Sequence, residues 1–182
     1  MEIRYDEQKF AELVLLVADR LRADIAGGAT KLNKVIFFAE FAHVRRTGRS
    51  ITGVEFQKLP HGPAPRRLRP VRDALVRCGA AQMVHEEHLG FVTARLVPLR
   101  AADVSLFSDE ELETIDGVIE DLSGMTARQV SQLSHDEAGW RLVEEGETIP
   151  YEAALVGAPQ VSTPTSRRLA REVAERFGLL PS

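Results

Sequence analysis

The sequence predicts an α+β fold, mainly α-helical, in which a central buried helix is surrounded by helices and joined by a small antiparallel β-element. Three observations carry this prediction. First, the segment Lys31-Leu32-Asn33-Lys34-Val35-Ile36-Phe37-Phe38-Ala39-Glu40-Phe41-Ala42-His43 is apolar at every position from Val35 to Ala42 except Glu40. A surface helix confines its apolar residues to a stripe about 100° wide, so a helix this apolar must be covered on most sides. Second, stripes of apolar residues at helical spacing, with capping residues before them, recur on both sides of that segment. Third, residues 52–59 and 83–99 alternate apolar and polar residues at the period of a strand.

Taken in order, Asp6 caps a first helix carrying Phe10, Leu13, Val14, Val17, Leu21 and Ile25 up to Gly27. The central helix opens after Gly27-Gly28 with Thr30 as its N-cap and stops at Gly48. Val54 and Phe56 mark a short strand over residues 52–59, closed by Pro60. His61-Gly62-Pro63-Ala64-Pro65 is a stiff turn. Leu68, Val71, Leu75 and Cys78 then form the buried side of a helix ending at Gly79. An interior proline costs about 3 kcal/mol, so this helix is expected to start near Pro70 or to break its first turn there. Residues 83–88 and 90–99 form a hairpin. Ser108 with Glu111, Thr126 with Gln129, and Ser134 with Glu137 are three capping boxes, each opening a helix. Residues 150–155 make one further turn. The implied organisation is a domain over residues 1–156, a linker over 157–163 and a C-terminal helical extension over 164–182.

At 182 residues and 44% hydrophobic content the chain can build a substantial core. The single Cys78 excludes a disulfide framework. No apolar run approaches the 18 or so residues of a membrane span and no leader pattern is present, so a cytoplasmic location is expected. The five histidines, His43, His61, His85, His88 and His135, do not compose a metal site. His85-Glu86-Glu87-His88 lacks the i, i+4 pair that zinc proteases use, and neither metal nor cofactor is expected. His43 shares a stripe with Leu32, Val35 and Ile36 and is expected to be a hydrogen-bonded core histidine. Cys78 is expected to be an inert core thiol, and no catalytic constellation stands out, so the protein is expected not to be an enzyme. Glu40 must be paired if buried, with Lys34, His43 or an arginine as candidates. Trp140 needs an acceptor for its indole N–H, which would tie it to a nearby loop.

The net charge of −4 conceals a strong polarity. Residues 45–77 hold nine bases against Glu55 and Asp73, whereas residues 103–152 hold fourteen acids against Arg128 and Arg141. Lys31-Leu32-x-Lys34 with its aromatic run, His61-Gly62-Pro63-x-Pro65, Leu133-Ser134-His135 with Trp140, and Glu147-Thr148-Ile149-Pro150-Tyr151 stand in that order. Together they resemble the Panacea domain of SocA-like antitoxins, over roughly residues 10–155. The chain departs from the family pattern in carrying His61 where an aromatic usually precedes Gly-Pro, and in having Pro70 and a basic last helix.

The resemblance implies a mostly helical fold, no cofactor, and a cognate toxin protein as partner, with a Clp-class protease as a further one in the SocA-type arrangement. The motif residues Lys31, Lys34, His61, Gly62, Pro63, His135 and Trp140, together with Glu40 and the arginines Arg66, Arg67 and Arg69 read from the residues themselves, are the partner-binding candidates. The arginines after the proline-stiffened turn are the expected anchors, because a guanidinium binds a carboxylate bidentately. The competing reading is a winged-helix-like DNA binder, with Arg66, Arg67, Arg69 and Arg72 on its recognition helix. The acidic net charge and the prolines at 65 and 70 count against it.

Overall fold

The computed structural model describes residues 3–88 and 91–156. The expected linker and C-terminal helix lie outside them. Helix α1 (Glu7–Arg20) starts where Asp6 accepts a hydrogen bond from the Lys9 N–H at 2.9 Å. Helix α2 (Ala29–Thr47) is the central helix, and twelve of its residues are buried, including Val35 through Phe41 without interruption. Its N-cap is Gly28 rather than Thr30. The reason is crowding: a side chain at Gly28 would run into the Thr93 methyl of the hairpin. The expected stop at Gly48 is observed, in the left-handed conformation with φ 74°.

Beyond α2, strand β1 (Phe56–Gln57) pairs antiparallel with β2 (Ala64–Pro65) on one side and with β5 (Thr148–Ile149) on the other. The strand expected over 52–59 is cut to two residues because the N–H groups of Ile51 and Thr52 are already used, both donating to Glu40. Helix α3 (Leu68–Arg77) begins two residues before Pro70. Proline is tolerated there because the N–H it lacks belongs to a first turn with no intrahelical acceptor. Cys78 caps the C-terminus of α3 and is exposed, correcting the expectation of a core thiol.

Strands β3 (Ala81–His88) and β4 (Phe91–Pro98) form the hairpin in register from Ala81 opposite Pro98 to His88 opposite Phe91. Arg95 on β4 is buried and donates to the carbonyls of Leu21 and Asp24, tying the hairpin to the turns that follow α1. Helices α4 (Asp109–Asp121) and α5 (Ala127–His135) each start with a complete capping box, from Ser108 with Glu111 and from Thr126 with Gln129. The third box does not form. Ser134 stays inside α5 with its hydroxyl bonded to the Ser131 carbonyl, and the short α6 (Ala138–Leu142) starts after Glu137 without a side-chain cap. A 3-10 turn, Tyr151–Leu155, closes the described chain.

The core is one cluster with α2 at its middle. Phe37, Phe41, Phe56 and Tyr151 form its aromatic heart, with Phe37 and Phe41 ring centres 4.4 Å apart and Tyr151 stacked on Phe41 at 5.3 Å. Burying such rings contributes roughly 1.5 to 3 kcal/mol each, and their contacts join α2 to β1 and the last turn.

Candidate functional site

The antiparallel pairing of β1 and β2 makes the chain reverse over residues 58–63, and the Gly62 N–H donates to the Leu59 carbonyl at 2.9 Å to close the turn. Gly62 takes φ 96°, which only glycine adopts without strain. The turn also lies so tightly on α2 that a Cβ at this position would come within 2.8 Å of Lys34 Nζ and closer still to the Ser134 hydroxyl.

Lys34 is 2% exposed and its ammonium donates to the Pro63 carbonyl at 2.8 Å. Its other two protons have no acceptor among the described residues. Burial without a counter-charge lowers its pKa to about 8. From the opposite side α5 holds the same turn, the Ser131 hydroxyl donating to the His61 carbonyl at 2.6 Å. Trp140 completes the frame. Its indole N–H donates to the Leu59 carbonyl at 3.2 Å, the His135 ring stacks on it at 4.1 Å, and Lys58 Nζ lies 4.3 Å from its ring centre. The His135 pKa is lowered by burial and then by the charge on Lys34, and its Nε2 is buried without a hydrogen-bond partner among the described residues.

Four separated stretches of sequence therefore meet at one turn, and they divide the candidate residues into two groups. Lys31, Lys34, Glu40, Gly62 and Pro63 are buried within the fold. Lys31, fully buried, pairs with Asp24 at 2.6 Å and donates to the Met125 carbonyl at 2.8 Å. Among the described residues Glu40 has no cationic partner, contrary to expectation. It accepts from the Ile51 N–H at 2.8 Å, from the Thr52 N–H at 2.9 Å and from the Thr52 hydroxyl. Burial pushes its carboxyl above the usual range despite those bonds. His43 is the hydrogen-bonded core histidine expected, with Nδ1 3.2 Å from the Thr114 hydroxyl.

The second group is accessible. His61, Arg66, Arg67 and Arg69 are exposed and His135 and Trp140 half-buried. Arg66, however, is not a waiting anchor: its guanidinium donates to Gln57 at 2.9 Å and to the Gly146 carbonyl at 2.8 Å, bracing β1 against the chain leading to β5. One member of the frame was missed in the sequence: Ser131, on the same face of α5 as Ser134, had only its spacing of three from that motif residue to show it. Ser134 and Lys58 were noted in the sequence, but not for the places they take beside the turn.

Chemically the arrangement is a turn held by side-chain hydrogen bonds from Lys34, Ser131 and Trp140. The hydroxyls of Ser131 and Ser134 are both spent on carbonyls. Among the described residues no three His, Cys, Asp or Glu side chains are grouped as a metal would require.

A family model described as the SocA-like antitoxin, Panacea domain, matches residues 32–141, more than half of the chain. The chain belongs to this family. No curated protein and no solved structure matches it significantly. The lysine of α2, the Gly-Pro turn, the Ser-His of α5 and Trp140 all fall within the matched span. An antitoxin domain implies a toxin partner in general. Past the matched span, β5 completes the three-stranded sheet and Tyr151 packs into the aromatic core.

Proposed function

We propose that this protein neutralises a cognate protein toxin by binding and covering it, that it does so by contact rather than by catalysis, and that it works in the cytoplasm. The observation that carries the reading is the match to the antitoxin family, and the geometry supports it. The turn over residues 58–63 is held by Lys34 below, Ser131 on one flank and Trp140 on the other, so its outer residues lose little freedom on binding. The exposed face continuing from it carries Arg67 and Arg69, the sign of charge that would recognise an acidic surface. A reducing compartment suits the lone exposed Cys78, and no described helix is long and apolar enough to cross a membrane. The engagement of Arg66 within the fold weighs against its use in DNA recognition.

Handing the captured toxin to a Clp-class protease is the second half of the proposal. Both halves are tested by expressing the product of each immediately neighbouring reading frame, with and without this protein. The expected result is a growth defect relieved by the protein and a complex that co-purifies. A toxin half-life that shortens only when both this protein and the protease are present supports the adaptor role. Failure of rescue and of co-purification for every neighbouring product overturns the antitoxin reading.

A further inference from the structure

A groove of about 430 Å³ runs between the start of α2, the β1–β2 edge, the first turns of α3 and the hairpin. Pockets that take small ligands or peptide anchors span roughly 300 to 1,000 Å³, so this one has room for a few side chains. Leu32, Leu68, Met83 and Leu96 give it an apolar floor, and Arg69 and Arg72 stand on its rim. Two features are unusual. Arg72 shares its charge with Asp73 at 2.7 Å, but Arg69 has no ion-pair partner among the described residues. The side-chain oxygen of Asn33, which also lines the groove, is buried and accepts no hydrogen bond among the described residues.

We propose that this groove takes a short acidic segment of the toxin, with an apolar residue seated on the leucine and methionine floor. Flanking carboxylates pair with Arg69 and Arg72. The inference rests on the toxin-binding reading above. Charge complementarity selects carboxylates for the rim. The floor selects protein over nucleic acid, because it offers aliphatic side chains where single-strand binders present aromatic platforms for bases. Arg66 also lines the groove but is already engaged by Gln57 and Gly146, so Arg69 is the principal anchor, with Arg72, which shares its charge with Asp73, as the second.

The methionines make the test direct, since the chain has three, Met1, Met83 and Met125. Met83 lies in the groove, while Met125 lines a different depression beside Ile25 and Ile119. The full chain, labelled at its methionine methyls, is titrated with the co-purified toxin, with a short peptide of alternating glutamate and leucine, and with duplex DNA. The expected result is a shift of the Met83 signal with toxin and with peptide while Met125 stays in place. Arg69→Glu with Arg72→Glu should weaken both by at least about tenfold, and Arg77→Glu, at the far end of α3, should leave both unchanged. Toxin that binds the wild type and the double variant equally, with Met83 unmoved, overturns the groove while the antitoxin reading stands. If no neighbouring product is captured but the peptide still moves Met83, the acidic-segment recognition survives and its assignment to a toxin falls. A Met83 shift with DNA and none with peptide overturns the choice of a protein partner.

Discussion

Replacing Gly62 by alanine should destabilise this domain well beyond the strain of its backbone angle alone. Two costs act together. At φ 96° an L-residue is strained by about 1 to 2 kcal/mol. The new Cβ would also stand within 2.8 Å of Lys34 Nζ and 2.9 Å of its Cε, so the lysine must leave its place and give up its bond to the Pro63 carbonyl. A buried group stripped of its hydrogen bond costs a further 1 to 3 kcal/mol or so, giving a total of roughly 2 to 5 kcal/mol. Gly48→Ala separates the two terms, because Gly48 has φ 74° but nothing within 4 Å of the added carbon. It should cost only the strain, about 1 to 2 kcal/mol. Urea unfolding followed by the fluorescence of the single Trp140, which is stacked on His135 beside the turn, measures both. Shortening and neutralising the obstructing side chain in Gly62→Ala with Lys34→Met should recover part of the loss, a coupling visible in the double-mutant cycle. If Gly62→Ala costs no more than Gly48→Ala, the close seating of the turn on Lys34 is wrong.

Lys34→Met should change how stability depends on pH. With a folded pKa of about 8 against an ordinary 10.5, Lys34 is charged in both states below pH 8, where burying the charge costs stability. Between those values the unfolded chain holds a proton that the folded protein lacks, so the wild type gains stability relative to the variant as pH rises from about 8 to about 10.5. A wild-type-minus-variant difference that is flat across this window would falsify the burial of a charged lysine. Phe38→Ala should destabilise by about 3 to 5 kcal/mol through lost burial and a cavity, and a loss below about 1 kcal/mol in the same unfolding assay would show that α2 has an open face. Arg66→Ala should cost about 1 kcal/mol in stability through its bonds across β1 and the approach to β5, whereas Arg67→Ala should stay within about 0.5 kcal/mol. Equal effects would return Arg66 to the surface.

What could be read from the sequence was what local chemistry decides. Asp6, Ser108 and Thr126 cap helices because a side-chain oxygen meets an N–H three residues on, an interaction contained within four residues of chain. The burial of α2 all round was equally legible, since no arrangement of Val35 through Phe41 leaves a polar face. The misreadings arose where a distant segment overrode a local preference. Gly28 became the cap in place of Thr30 because β4 presses on it, and Ser134 was drawn inward to Ser131, leaving the third box without its oxygen. Glu40 was expected to find a cation and found backbone N–H groups, which no pattern of side chains reveals. The candidate site was legible as a set of motifs, but not as a division between the residues that hold the turn and those that face outward. That division depends on the packing of α5 and α6 around residues 58–63.

The pairing of β1 with β5 joins residues that are about ninety positions apart, Phe56 opposite Ile149 and Gln57 opposite Thr148. A contact of that span is slow to close, and the chain leaves the ribosome at only about 5 to 20 residues per second. For several seconds the nascent protein therefore carries α2 and the turn without the strand that covers the open edge of β1, without the Gly146 carbonyl that holds Arg66, and without Tyr151 against Phe41. The braced turn is thus a property of the finished domain. A gene truncated shortly before residue 148 would retain every motif residue from Lys31 to Trp140 and still lack a stable site.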